Sequence, residues 1–369
     1  MKNILPILLF LHGAIHSIGF QKAYELPFIE NLTASVSNTY GIFWFLTFVL
    51  FLVVGITHLA KLDWWYILAF VAVICSSILI ISVWEEAKFG MIPNVVILIF
   101  AIVGYFTSNF CKQYKKDVKA GLKQTNTQTE SVLTEADIRN LPLLVQKYIR
   151  YTGSLGKPKV ANYHMEFVGK IRKNEKSEWM PFTTSQYNFV AAVSRLFFMK
   201  AVMKYLPVAG YHCFKNGKAF MDIRLLSFIK IQYQSGKEMD IAETVTFFND
   251  ICVMAPAALI DNRIKWIEKD EKSVKAVFTN KDITITAELY FNELGELINF
   301  VSEDRFAVSD KGIMQEIPWS TPITDYTVVD GYRLATYAEM IYKYPEGDFC
   351  YGKFSLSHID YNCKKIKNF

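Results

Sequence analysis

The chain lacks the short signatures that mark most catalytic sites. It has no GxSxG turn for a nucleophilic serine, no Walker loop for a nucleotide phosphate and no carboxylate pair at a diagnostic spacing, so no enzyme class is indicated. The six cysteines (Cys75, Cys111, Cys213, Cys252, Cys350, Cys363) contain no CxxC spacing, which leaves neither a zinc site nor a redox pair to expect. Charge of either sign is scarce before residue 112, where Lys2, Lys22, Lys61 and Lys88 stand against five acidic residues. The remainder holds 36 basic and 30 acidic residues, scattered along the chain, and a nucleic-acid partner would need them gathered on one face. No cofactor and no metal are expected.

The charge-poor front is filled by four apolar segments: Ile4 to Phe20, Gly41 to Ala60, Trp64 to Trp84 and Met91 to Phe110. A membrane span needs about 20 apolar residues, so four transmembrane helices are expected. Trp44, Trp64, Trp65, Trp84 and Tyr105 lie near segment ends, as interfacial belts require. The first segment is longer than the apolar core of a signal peptide and carries two histidines, so it is read as retained. Lys2, Lys61, Lys112, Lys115, Lys116, Lys119 and Lys123 flank one side of the spans, and only Lys22 and Lys88 flank the other. This asymmetry places both termini and the C-terminal half in the cytoplasm.

After a basic juxtamembrane stretch comes a polar one (residues 121–133), expected to be a flexible linker. Thr134 with Asp137 opens a short helix, and Leu143 to Tyr151 forms a second that stops at Gly153. From residue 158 the pattern becomes that of strands. Ile283, Ile285, Ala287, Leu289 and Phe291 alternate with Thr284, Thr286 and Glu288, and Asn216-Gly217 and Asp330-Gly331 mark hairpin turns. One helix interrupts the strands, with Asp240 and Glu243 as its expected capping pair and an apolar stripe through Val245, Phe248 and Ile251. The expected architecture is multi-domain. An all-α four-helix transmembrane bundle (1–111) is followed by a basic segment and linker (112–133), then by an α+β domain (134–369) built on a curved antiparallel sheet, a half-barrel.

Several stretches resemble a family of uncharacterised bacterial membrane proteins known only as a domain of unknown function. They are His12-Gly-Ala-Ile-His16, Trp84-Glu-Glu-Ala-Lys88 with Asn94, Leu141-Pro142 to Gly153, Trp179 to Tyr187, Asp304-Arg305 and Pro318-Trp319. The strand order of the second half is similar to the Lol-type lipoprotein-carrier fold, a half-barrel with helices as a lid. That resemblance implies an apolar-ligand cavity. It also implies work outside the cytoplasm, against the lysine asymmetry.

Two groups of residues are candidate sites. His12 and His16 share a helix face one turn apart, and His16, Glu85, Lys88 and Asn94 are expected to meet at the outer mouth of the bundle with His12 below. In the second half, Phe182, Phe198, Phe220, Trp266, Phe300 and Trp319 are candidates to line a hydrophobic cavity, and Arg305 is a candidate anion contact or the partner of Asp304. The leading functional expectation is non-enzymatic binding of a lipid or other hydrophobic ligand. The alternatives are a membrane-embedded enzyme or proton-coupled carrier using His12, His16 and Glu85, and a membrane-anchored scaffold or sensor.

Overall fold

The computed structural model describes residues 4–26, 35–126, 131–309 and 312–367. The chain divides into two compact units, Met1–Phe110 and Cys111–Phe369.

The first unit is helical: α1 (Ile4–Ala23), α2 (Asn38–Leu59), α3 (Trp65–Ser82), a short α4 (Trp84–Ala87), a 3-10 turn Lys88–Gly90, and the start of α5 (Met91–Thr125). Four helices are long and apolar enough to cross a membrane. Their shared interior is made by Leu9, Phe51, Val54, Ala69, Ala72, Ile97 and Ala101, all 0% exposed. Apolar side chains also cover the outside, where Leu11, Ile15, Ile74, Ile78, Ile81 and Ile92 are more than half exposed. Such a surface suits hydrocarbon as solvent, because each helix satisfies its own backbone. Helix contacts are close: a Cβ added at Gly19 would lie 2.3 Å from the Trp44 ring.

The second unit begins within α5. A polar linker is expected from residue 121, but the helix continues to Thr125. The reason is a stripe at helical spacing, Tyr114, Val118 and Leu122, which is buried. Residues 127–130 of the expected linker lie outside the described residues. Val132 bridges Pro158, and the short helix α6 (Glu135–Ile138) follows. The Asp137 carboxylate accepts both the Thr134 N–H (2.8 Å) and the Thr134 hydroxyl (2.7 Å). Helix α7 (Leu143–Tyr151) stops ahead of Gly153, whose φ of 67° suits glycine.

Strands then run outward as a meander: β1 (Asn162–Ile171), β2 (Met180–Phe189), β3 (Ser194–Met203), β4 (Leu206–Lys215), β5 (Lys218–Leu225) and β6 (Ile229–Ser235). Asn216 and Gly217, both at positive φ, make the expected turn between β4 and β5. Helix α8 (Lys237–Met254) and a 3-10 turn (Pro256–Ile260) carry the chain to the far edge. There β7 (Ile264–Glu268), β8 (Ser273–Asn280), β9 (Ile283–Phe291) and β10 (Leu297–Ser302) build back inward. A separate hairpin, β11 (Phe306–Val308) and β12 (Met314–Glu316), precedes β13 (Trp319–Val329), β14 (Tyr332–Tyr344) and β15 (Gly347–Tyr361). Among the described residues these form a 13-stranded sheet in the order β6-β5-β4-β3-β2-β1-β15-β14-β13-β10-β9-β8-β7. Every pairing is antiparallel, and the sheet stays open at β6 and β7.

Helix α8 packs against strands from both arms of this sheet and fills much of its concavity. It is buried around most of its circumference, with Ala242, Val245, Phe247, Phe248, Ile251 and Cys252 at 0% exposure. The expected capping pair is not what starts it. The helix begins at Lys237, a turn earlier, after Gly236 at φ 112°. Asp240 instead accepts the Ala219 N–H (2.6 Å) and the Lys218 ammonium (2.9 Å), and Glu243 turns to Arg195. Both carboxylates are claimed by the sheet because the helix lies inside it. At the central seam, a Cβ added at Gly169 of β1 would sit 2.1 Å from the Lys353 carbonyl oxygen of β15. Gly169→Ala is expected to lower stability by about 1–3 kcal/mol through this backbone clash. A clear drop in the thermal midpoint of the detergent-extracted chain checks it.

Candidate functional site: a methionine-rich cavity under helix α8

A cavity of about 450 Å³ remains between α8 and the inner face of the sheet. This falls within the range of about 300–1,000 Å³ typical of small-molecule sites. Six of the eleven methionines line it: Met199, Met221, Met239, Met254, Met314 and Met340. Thioether side chains are flexible and polarizable, so such a wall adapts to irregular apolar guests. Phe197, Trp319, Tyr342, Tyr351 and Phe354 add aromatic surface.

One polar network crosses the apolar wall. Arg195 of β3 donates from Nη1 to Glu243 (3.0 Å) and from Nε to Asp250 (2.8 Å), two carboxylates two turns apart on α8. The Gln186 and Asn188 amides also donate to Asp250 (2.6 and 3.1 Å). Burial favours the neutral form of Glu243, yet Arg195 and His212 hold its carboxyl at about 2. For Asp250 burial prevails over Arg195 and the amides, and its pKa is raised. Other groups in the wall are incompletely bonded. Arg305 Nε and Asn249 Oδ1 are buried atoms without a hydrogen-bond partner. Arg195→Met is expected to cost about 3–5 kcal/mol, since it strands two buried carboxylates. A thermal melt at neutral pH reads this, and a change under about 1 kcal/mol would refute the network's role.

The expected cavity residues divide by strand parity. Trp319 and Arg305 line the hollow. Phe198 and Phe220 point to the opposite face: Phe198 packs on Tyr114 of α5 at 5.5 Å and Phe220 on Tyr211 at 5.4 Å. Their neighbours Phe197 and Met221 face inward, one residue away. Phe182 packs on Phe354 (4.7 Å), and Phe300 sits between Phe248 and Trp319 (5.9 and 6.2 Å), both behind the wall. Trp266 is half-buried against the core near the β7 edge. Asp304 does not pair with Arg305; it accepts the Thr286 N–H (2.6 Å) and hydroxyl (3.0 Å).

In the helical unit, His12 Nε2 donates to Asn94 Oδ1 (2.8 Å), which also accepts from Ser76 (3.0 Å). The His16 ring meets His12 edge-on at 4.8 Å and Trp44 at 5.1 Å. Glu85 and Lys88 pair with each other at 3.3 Å on the turn between α3 and α5 and bond to none of these groups. Thus His12 and Asn94 come together, His16 adjoins them through ring contact, and the two charges stand apart. Among the described residues, no cluster of three or more His, Cys, Asp or Glu is placed to hold a metal ion.

A second constellation has the outline of a hydrolase triad. His164 Nε2 lies 2.9 Å from Ser185 Oγ, and its Nδ1 lies 3.8 Å from Asp360. Ser185 is 1% exposed and shares its hydroxyl with Tyr114 of α5 (2.9 Å), so no substrate reaches it. Its role is to join α5 to the sheet. Burial drops the His164 imidazole to about 4, against the opposing pull of Asp360. The unfolded chain therefore binds more protons between the ordinary histidine value of 6.5 and about 4. Stability should fall as pH is lowered through that window, by about 3 kcal/mol at about 1.36 kcal/mol per pH unit. Thermal midpoints taken across that window should show the decline, and His164→Gln should flatten that part of the profile.

The described residues thus combine four helices long and apolar enough to cross a membrane with an open antiparallel sheet that encloses a hollow of small-molecule size. The chain belongs to the Family of unknown function (DUF6544), whose model matches residues 131–354. No curated protein matches it in sequence. Among solved structures it is similar to a putative outer membrane lipoprotein-sorting protein domain from Vibrio parahaemolyticus, at 7% identity over 59% of this chain and 90% of that one (TM-score 0.36). It is also similar to a DUF1329 family protein from Desulfovibrio piger, at 10% identity over 63% and 94% (0.34). A third is a LolA superfamily protein from Nitrosomonas europaea, at 7% identity over 60% and 94% (0.29).

Proposed function

We propose that this chain is a membrane-anchored, non-enzymatic receptor for a lipid or other hydrophobic small molecule. The supporting observation is the cavity itself: about 450 Å³ of space left inside a packed unit, with six methionines and several aromatic side chains in a mainly apolar wall. Interiors are normally packed without such voids. Each methylene that a guest buries there gains about 0.8 kcal/mol, so a modest apolar chain binds well. The spans hold the receptor at the source of such guests. The lysine asymmetry favours the inner membrane, with the β-rich unit on the cytoplasmic face.

Full-length protein released from detergent in a native mass spectrometer should retain a lipid-sized adduct. Met221→Trp, which fills the hollow, should reduce occupancy by about tenfold, a loss of about 1.4 kcal/mol, without lowering the thermal midpoint. Adduct retention unchanged by this substitution would place the lipid elsewhere.

A further inference from the structure

The cavity is apolar along most of its wall, but one end carries positive charge and unused donors. Arg305 Nη1 donates to the Phe306 carbonyl (2.9 Å). Among the described residues this is the only hydrogen bond of the guanidinium, and it forms no ion pair; its Nε–H is buried and unpartnered. The guanidinium lies 5.5 Å from the Trp319 ring centre, and the Trp319 indole N–H is buried in the same wall. The Tyr351 hydroxyl is a neutral acceptor beside that indole. The cavity's carboxylates are committed elsewhere, Glu243 and Asp250 to Arg195. Glu243 acts on Arg305 only through space, against the repulsion of Arg195. A buried cationic donor without an acceptor and an indole N–H met only by a neutral hydroxyl thus stand together in a largely apolar hollow. An unsatisfied buried donor is costly, and a guanidinium is best answered by an anionic oxygen.

We propose that the guest is an anionic amphiphile, with its carboxylate or phosphate received by Arg305 and Trp319 and its apolar chain laid along the methionine wall. This rests on the receptor reading above and specifies its ligand. Three single-chain probes of matched length separate the possibilities: oleate, oleyl alcohol, and an oleoyl lysophosphatidate. Each is added to the full-length protein in a non-ionic detergent, and the bound fraction is read by native mass spectrometry. The acids are expected to bind at least about tenfold more tightly than the alcohol, the size of one charge-assisted hydrogen bond. Preference between oleate and lysophosphatidate identifies the head group. Arg305→Gln should bring the acids down to the level of the alcohol and leave the alcohol unchanged. Trp319→Phe should weaken the acids alone, and Arg305→Lys should keep part of the preference. Equal binding of alcohol and acids by the unsubstituted chain overturns the anionic assignment and leaves the receptor standing. Retention of none of the three overturns both.

Discussion

The hold of Arg195 on Glu243 and Asp250 is the constraint around which the β-rich unit is arranged. A single guanidinium on β3 grips α8 at two points, two turns apart, in a region where water does not compensate an unpaired charge. The grip fixes both the rotation and the axial position of the helix against the sheet. Met239, Glu243, Thr246 and Asp250 consequently face the hollow. Phe247 and Phe248 are turned into the packed core instead. A helix so held cannot settle onto the far wall, and the space beside it stays open. The cavity follows from a polar contact in the core, although its own wall is mainly apolar.

The outer side of the same sheet is closed in a different way. The end of α5 lies on it, with Tyr114 bonded to Ser185 and Asp117 bonded to Tyr211 (2.9 Å) and Lys215 (2.6 Å). The strands between are therefore covered on both faces. This accounts for aromatic residues at successive positions such as Phe197 and Phe198, one serving each side.

Much of this architecture is legible in the amino-acid order. The apolar segments mark the helices because spanning length and the scarcity of charge are direct properties of the chain. The 283–291 alternation and the Asn216-Gly217 and Asp330-Gly331 turns mark strands for equally local reasons. The features that escape such a reading are non-local. The polar composition of residues 121–125 conceals Leu122, whose burial depends on a sheet formed by later residues. The Asp240–Glu243 spacing has the form of a cap, yet both carboxylates answer to partners at positions 218, 219 and 195. Which of two adjacent aromatics faces the hollow turns on a one-residue register, and aromatic density carries no record of parity. The methionines are the signal that composition hides. Six of eleven converge in space but are spread from 199 to 340 in the chain.

The sheet's topology bears on how the molecule comes into being. The strand pair at its middle, β1 with β15, joins Tyr163 to Tyr361 across most of the length of the β-rich unit. The two arms can each zip up from neighbours in sequence, but they are stitched together only when the last strand arrives between β1 and β14. During synthesis an unfinished chain thus presents two raw strand edges at its centre. Such edges are slow to find each other and prone to find strangers. Removal of β15 alone splits the hollow along its midline while sparing the hairpins on either side.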